Sequence, residues 1–317
     1  MKRTSWRDKK FVRKFLGLDR NENFDFVLRD RYREFYKCLT PEDIVLYPDL
    51  PKAYKALSAT INIEPNKLLL CNGSEQGLKI LLEYFKLQNC KSLKYWNPTF
   101  QMTGVYGEIY SYDCNVTQYT YHNNKFTTAT NATGYDVVYI VNPNNPTGTR
   151  ITNSIVEKLC QHNKNVIVDE AYYEFNNYYT SEHLVDKYDN LYILRTLSKA
   201  AGGAGMRIGY IVTQPSNIDC VSLTKPAYEI SGVGVKFIQY IYDNPDMIEE
   251  SVSRLKKAKR QIESKYKCIP CIGNYVLMTY TAKLWNELSK IADVKLIEVS
   301  ERKFIRMTVT NHKDIIE

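Results

Sequence analysis

The sequence predicts an α/β fold in which helices cover both faces of a mostly parallel sheet. From about residue 41 onward, short apolar runs alternate with helical patterns, which is the order expected of strand–helix–strand units. Two of the apolar runs, Val137–Val141 and Val166–Val168, do not alternate with polar residues. Strands of a parallel sheet have this pattern because both of their faces are buried.

The predicted elements fall into two groups along the chain. The strands of the main sheet are Lys67–Cys71, Leu93–Trp96, Asp136–Val141, Asn165–Val168, Leu191–Arg195 and Ile208–Thr213. Helical patterns follow Gly77 and Thr152. After Lys225 the pattern changes to long helices, with short strands near Asn274–Thr279 and Phe304–Val309. This second group predicts a smaller α+β unit.

Length and composition allow two globular domains. A chain of 317 residues exceeds a typical single domain, and its hydrophobic fraction of 44% is enough to build normal cores. We expect a large domain over residues 41–225 and a small domain that joins residues 1–40 to residues 226–317.

The basic charge of the chain does not by itself indicate a nucleic-acid partner. Lys and Arg number 43 against 35 Asp and Glu, a formal charge of +8, and the densest runs are Lys2–Lys14 and Arg254–Lys267. Within the second run, apolar residues recur at helical spacing: Val252, Leu255, Ala258 and Ile262. The basic residues of that run therefore form the solvent-exposed face of a helix. We expect no nucleic-acid partner.

Neither a metal site nor a membrane segment is predicted. The eight cysteines are scattered, their only close pair (Cys268 and Cys271) lacks a second ligand pair, and the four histidines are not at ligand spacing. The N-terminal segment lacks the apolar core of a signal peptide, and no run of 18 apolar residues occurs. We expect free thiols and a cytoplasmic protein.

Polar segments follow four of the predicted strands: Asn72–Gly77, Asn142–Gly148, Asp169–Tyr172 and Thr196–Lys199. In an open parallel sheet, ligands bind at the carboxyl ends of the strands. The four segments therefore predict a single site.

The first segment, NGSEQG at Asn72–Gly77, has the features of a phosphate cradle. Its glycines permit a tight turn, and the helix that follows presents unpaired N–H groups and a positive dipole end. A simple turn would have the same composition. The segment lacks the lysine of a nucleotide P-loop, which argues against ATP.

The second and third segments supply an amide and a carboxylate. In NPNNPTG, at Asn142–Gly148, two X-Pro steps impose an extended path and asparagine offers a neutral donor, although a polar turn would have a similar composition. Asp169 ends a buried strand, where a carboxylate is costly unless it meets a cation. It could equally cap the next helix.

The fourth segment places a lysine among possible phosphate ligands. Thr196, Ser198 and Lys199 follow a strand directly, and Arg207 comes eight residues after the lysine. An amine near cations in a partly dry pocket has a lowered pKa, which suits Schiff-base chemistry. The alternative is an exposed surface lysine.

In this order, the segments resemble one family. The asparagine of NPTG, the acid of DEAY, and the lysine of SK followed by an arginine eight residues later match the fold-type-I pyridoxal-phosphate aminotransferases of class I/II. The chain is most similar to their histidinol-phosphate aminotransferase group, from about Leu18 to Val309. The resemblance implies a mostly parallel seven-stranded sheet between helices, and pyridoxal 5′-phosphate as cofactor.

The resemblance also implies roles for individual residues. The catalytic positions are Lys199, which would carry the cofactor, Asp169, which would keep the ring nitrogen protonated, and Tyr172. Tyr172 and Asn145 match donors to the 3-oxygen of the ring, and Phe100 matches the aromatic residue stacked on it. The other cofactor-binding positions, most of them on the phosphate, are Gly73, Ser74, Glu75, Thr196, Ser198 and Arg207.

Substrate and partner contacts are implied in the same way. Arg306 matches the arginine that anchors the anionic group of the substrate. Asn21 and Asn23 lie in a segment near the substrate entrance, where Phe24 replaces the proline of the family. Tyr47 matches a tyrosine that enters the site of the neighbouring subunit, which implies a homodimer.

Three functions are compatible with these residues. The first is transfer of an amino group between a small phosphorylated or acidic amine and a 2-oxo acid such as 2-oxoglutarate. The second is decarboxylation of a phosphorylated amino acid, as in threonine-phosphate decarboxylase, which resembles the chain in every cofactor motif. The third is a non-catalytic binding protein. Such a protein would be free to lose Lys199 or Asp169, and the chain has both.

Overall fold

A computed structural model describes residues 16–316, and the basic run Lys2–Lys14 lies outside them. Its centre is a seven-stranded sheet in which β9 alone runs antiparallel to its neighbours, so the predicted α/β fold is confirmed. In spatial order the strands are β1 (Leu68–Cys71), β9 (Gly209–Val212), β8 (Leu191–Thr196), β7 (Val166–Asp169), β6 (Val137–Val141), β2 (Ser92–Asn97) and β3 (Asp113–Gln118).

Helices cover this sheet on both faces. The α-helices of residues 16–316 are α1 (Phe26–Lys37), α2 (Glu42–Val45), α3 (Leu50–Ile61), α4 (Gly73–Leu87), α5 (Met102–Ile109), α6 (Asn153–His162), α7 (Pro215–Val221), α8 (Gly232–Asp243), α9 (Asp246–Lys265), α10 (Ala282–Ile291) and α11 (Lys313–Ile316). Alternate residues of β6 enter different cores: Val137 and Tyr139 pack in one with α4, whereas Val138 and Ile140 pack in the other. Apolar side chains are therefore needed at every position of this strand.

A second, antiparallel sheet is built from the C-terminal part of the chain. Its order is β10 (Cys268–Ile269), β11 (Tyr275–Thr279), β13 (Arg302–Thr308) and β12 (Lys295–Val299), and a separate hairpin joins β4 (Thr120–His122) to β5 (Lys125–Thr127). The predicted apolar face of α9 is confirmed, because Val252, Leu255, Ala258 and Ile262 are buried. The domain boundaries at residues 40 and 225 stay a prediction.

The chain before α1 is bound to this second sheet. The N–H of Thr308 donates to the carbonyl oxygen of Leu18 at 2.8 Å, and the N–H of Asn21 donates to the hydroxyl of Thr308 at 2.9 Å. These contacts carry residues 18–21 across the carboxyl ends of the main strands, so the site contains residues from both ends of the chain.

One predicted boundary differs from the structure in a way that matters for the site. The helix expected after Gly77 begins at Gly73, so most of NGSEQG is helical. Gly73 has φ +78°, a left-handed conformation that glycine adopts without strain. The backbone N–H groups of Ser74 and Glu75 therefore belong to the first turn of α4.

Two further searches cover residues 16–316. None of the helices there combines the length and the apolar character needed to cross a membrane. No group of His, Cys, Asp or Glu in the same residues is arranged to hold a metal ion.

Candidate active site

Lys199 lies just beyond β8, half-buried, with its amine directed toward the segment before α1. Its Nζ donates to the carbonyl oxygens of Arg20 and Asn21, each at 3.2 Å, and lies 5.6 Å from the centre of the Tyr172 ring. Backbone carbonyls are weaker partners for an ammonium group than a carboxylate would be. The amine is thus placed in the site without a direct ion pair among these contacts.

Asp169, the last residue of β7, is the buried carboxylate of the site. Its Oδ2 accepts a hydrogen bond from the Tyr139 hydroxyl at 2.8 Å, and its Oδ1 accepts one from the N–H of Ala171 at 3.0 Å. Burial raises the pKa of Asp169 to about 6, and the two donors and Lys199 partly oppose that rise. A cationic ring nitrogen is the kind of partner that such a carboxylate lacks.

Asp169 should make the stability of the cofactor-free protein depend on pH. Its pKa is about 6 when folded and 3.8 ordinarily, so the folded protein holds the proton more tightly. The resulting stabilisation, about 3 kcal/mol, is present below pH 3.8 and is lost as the pH rises through about 6. Urea unfolding between pH 4 and 7 should show wild type losing stability relative to Asp169→Asn. Parallel pH profiles would contradict this.

Arg306 and Asn145 join the second sheet to the NPTG loop. Arg306, on β13, is 8% exposed, and its Nη1 donates to Asn145 Oδ1 at 2.7 Å. Nearby, the side-chain amide of Asn21 donates to the Tyr172 hydroxyl at 3.0 Å. A cleft of about 660 Å³ opens beside them, lined among others by Arg306, Asn145, Phe100, Arg20 and Lys295.

The start of α4 lies against the turn that carries Arg207. A Cβ atom on Gly73 would come within 2.6 Å of Arg207 Nη2, and one on Gly209 would come within 2.3 Å of the Ser74 nitrogen. The close approach of these segments therefore requires glycine. The hydroxyls of Thr196 and Ser198 are 2.9 Å apart in the adjoining turn.

These groups fit the phosphate of the expected cofactor. The N-terminal turn of a helix offers N–H donors and positive dipole, and an arginine beside it adds charge-assisted bonds. At the other end of the cofactor, the buried Asp169 fits a protonated ring nitrogen. Lys199 lies at the same edge of the main sheet as Asp169, where the parallel strands end. The donor set therefore fits pyridoxal phosphate.

Comparison with known proteins identifies the family. The family model described as aminotransferase class I and II matches residues 19–315. The chain belongs to this family. The predicted resemblance is confirmed, and with it a pyridoxal-phosphate-dependent aminotransferase whose substrates are an amine and a 2-oxo acid.

The relatives agree with this assignment. The chain is 28% identical over 320 residues to a histidinol-phosphate aminotransferase of Clostridium novyi, covering 95% of this chain and 89% of that protein. Its fold resembles histidinol-phosphate aminotransferase from Sinorhizobium meliloti in complex with pyridoxal-5′-phosphate (TM-score 0.70, 16% identity, 94% and 88% of the chains covered). It also resembles L-threonine-O-3-phosphate decarboxylase from Porphyromonas gingivalis (TM-score 0.73, 16% identity, 95% of each chain covered).

Not every predicted residue of this aminotransferase lies in the cluster around Lys199. The Asn23 amide donates to the carbonyl oxygen of Ala200 at 2.8 Å and to the Ser251 hydroxyl at 3.0 Å, so it ties helix α9 to the turn instead. The Glu75 carboxylate accepts from the Tyr106 hydroxyl at 3.0 Å, which leaves its backbone N–H as the group near the phosphate corner.

Tyr47 is also apart from the cluster. Its side chain is 80% exposed and stacks on Tyr228, with ring centres 4.5 Å apart. Within one chain it makes no contact with the cluster around Lys199, and its role in a neighbouring subunit stays a prediction.

Three residues of the site were missed by sequence reasoning. Tyr139 and Arg195 lie in strands and resemble core positions, and Tyr275 opens an apolar run. Arg195 is 1% exposed and forms hydrogen bonds with Glu170 at 3.0 and 3.1 Å. Tyr275 donates to the carbonyl oxygen of Asn144 at 2.9 Å and packs edge-on against Tyr172. The only signal in the sequence was indirect: Glu170, the partner of Arg195, follows Asp169 in the DEAY motif.

Proposed function

We propose that this enzyme transfers an amino group between a small amine that bears a phosphate or other acidic group and a 2-oxo acid such as 2-oxoglutarate. The observation that carries the proposal is the buried Arg306 at the wall of the cleft. Arg20 and Lys295 line the same cleft, as do Asp19 and Glu298, so its basic side chains outnumber its acidic ones by three to two. An anionic substrate suits such a lining better than a neutral one.

The residues around Lys199 divide the chemistry among them. When bound, the cofactor supplies an electron sink for the negative charge that develops at the substrate carbon. Lys199 would hold the cofactor and would move a proton at the substrate carbon. Asp169 would keep a proton on the ring nitrogen. Arg306 fixes the acidic group of the substrate and so orients the bond that breaks.

The remaining residues bind and position the cofactor. Tyr172 and Asn145 would offer a hydroxyl and an amide to the 3-oxygen of the ring, and Phe100 would pack on the ring. The N–H groups of Ser74 and Glu75 would hold the phosphate together with Thr196, Ser198 and Arg207. Asn21 supports this set, because its amide holds the Tyr172 hydroxyl and its carbonyl holds the Lys199 amine.

Adding single amines to the purified enzyme loaded with pyridoxal phosphate tests the reaction. Histidinol phosphate or glutamate should convert the absorption of the bound cofactor to that of its amine form, with one keto product per site. Failure of every acidic amine to do so would refute the proposal. Carbon dioxide released from O-phosphothreonine, with the absorption unchanged, would instead identify a decarboxylase.

We also propose a homodimer in which Tyr47 enters the site of the partner subunit. The support is an exposed apolar stretch that ends at this tyrosine, in which Ile44, Val45 and Leu46 are 73%, 72% and 62% exposed. Exposed apolar runs of this kind mark interaction surfaces.

Mixing two inactive variants should test the dimer. Lys199→Ala lacks the lysine and Tyr47→Ala lacks the tyrosine, so a mixed dimer contains one complete site. Unfolding and refolding them together in equal amounts should restore about a quarter of the wild-type sites, by random pairing. Two portions of Lys199→Ala treated alike are the control. Activity that never exceeds the sum of the separate variants would contradict the shared site.

A further inference from the structure

Tyr139 touches Asp169 from the strand beside it. The residue lies on β6, its side chain is 0% exposed, and its hydroxyl donates to Asp169 Oδ2 at 2.8 Å. We infer that Tyr139 is a positioning residue that keeps the shared proton on the ring nitrogen of the cofactor and off Asp169. The inference rests on the proposed role of Asp169, and it concerns a residue that makes no contact with the cofactor itself.

Few of the groups around Asp169 can lower the basicity of its carboxylate. Its other oxygen accepts the N–H of Ala171, which no side-chain substitution removes. The charged groups facing it are Lys199 and Glu170. Glu170 is held by Arg195 through two hydrogen bonds of 3.0 and 3.1 Å. Tyr139 is therefore the one neutral side chain among these contacts that donates to the carboxylate.

The hydroxyl of Tyr139 stays a donor across the working range of pH. Burial raises the pKa of the Tyr139 phenol well above its ordinary value of 10.0, and the neighbouring carboxylate raises it further. The phenol does not ionise under conditions in which the protein works. Its contribution to Asp169 is therefore constant.

The direction of the effect follows from the basicity of the carboxylate. A donor stabilises the ionised form of an acid, so the Tyr139 hydroxyl makes Asp169 a weaker base. In a buried pair, a single proton resides on the more basic partner. With the hydroxyl present that partner is the ring nitrogen, and without it the proton moves toward Asp169. A protonated ring is the stronger electron sink.

The matched variants are Tyr139→Phe and Tyr192→Phe. Tyr139→Phe removes only the donor. Tyr192, on β8, is 3% exposed, belongs to the same buried cluster, and its hydroxyl is not among the groups that act on Asp169. Tyr139→Gln returns a neutral N–H donor on a shorter side chain and serves as the partial rescue variant.

Each variant is loaded with ¹⁵N-labelled pyridoxal phosphate, and the ring nitrogen is observed by NMR. In Tyr139→Phe its resonance should move toward the unprotonated position. The pH midpoint of the cofactor absorption should rise by about one unit, because the linked Lys199 nitrogen then loses a neighbouring positive charge. We expect kcat to fall about 10- to 100-fold with KM little changed. Tyr192→Phe should match wild type, and Tyr139→Gln should lie between wild type and Tyr139→Phe.

The outcomes separate this inference from the proposed function. Wild-type enzyme that binds no cofactor would overturn the proposed function. Wild-type and Tyr139→Phe enzymes with bound cofactor and identical ring-nitrogen resonances would overturn only the role of Tyr139. Loss of folding in both Tyr139 variants, with Tyr192→Phe intact, would overturn it as well, because Tyr139 would then serve the core alone.

Discussion

Replacing Lys199 with alanine should abolish covalent attachment of the cofactor and slow amino transfer by at least about 10⁴-fold. The variant loses both the nitrogen that holds the cofactor and the base that moves the proton. The absorption band near the visible edge should disappear. Borohydride reduction followed by peptide mapping should place the cofactor on the peptide that contains Lys199 in wild type and on no peptide in the variant.

The control for this experiment is another buried lysine. Lys94 is 4% exposed, and burial lowers the pKa of its amine, so it is the rival site for reaction with an aldehyde. Its Nζ donates to the side-chain oxygen of Asn115 at 2.6 Å, and this partner is neutral. Lys94→Met should keep the band and the labelled Lys199 peptide. A Lys199→Ala enzyme that retains the band would refute the assignment.

Replacing Arg306 with methionine should lower kcat/KM for an acidic amine by about 10²- to 10³-fold. Methionine keeps an apolar stem but leaves the acidic group of the substrate without its cation. A neutral amine, which never used that cation, should lose much less. Steady-state kinetics with glutamate and with a neutral amine of similar size measure the difference.

Arg302 provides the matched control, because it lies at the exposed start of the same strand. Its guanidinium lies 5.5 Å from the centre of the Tyr121 ring. Arg302→Met should therefore leave both amines unaffected, and Arg306→Lys should recover part of the loss. Equal losses for acidic and neutral amines in Arg306→Met would show that Arg306 supports the fold instead of the substrate.

The sequence predicted those strands of the main sheet whose burial on both faces requires an unbroken apolar run. Val137–Val141 is a strand with the predicted end, because both faces of β6 enter a core. The edge strand β1 was also predicted because it is fully buried, but two other edge strands lack this pattern. β3 (Asp113–Gln118) was missed because it is polar and mostly exposed, and β12 (Lys295–Val299) was missed for the same reason. Their partners, not their composition, make them strands.

The candidate site was predictable where its reactive residues directly follow strands of the sheet in chain order. Asp169 and Lys199 stand at the carboxyl ends of neighbouring strands β7 and β8, so chain order was enough to bring them together. The contact of Tyr139 with Asp169 was not predictable, because a tyrosine in an apolar strand is typical of a core residue. Asn23 was assigned by its neighbourhood in sequence, and nothing in the sequence shows that its amide binds Ala200 and Ser251.

The contacts between residues 18–21 and β13 also decide when the cleft can form during folding. Arg306 donates to the carbonyl oxygen of Asp19, a partner 287 positions away, and Lys199 reaches Arg20 and Asn21 across 179 and 178 positions. Contacts between such distant residues form late, because closing a long loop costs entropy before any contact repays it. A growing chain on the ribosome can therefore complete much of the main sheet first, and the substrate cleft closes only after β13 has been synthesised.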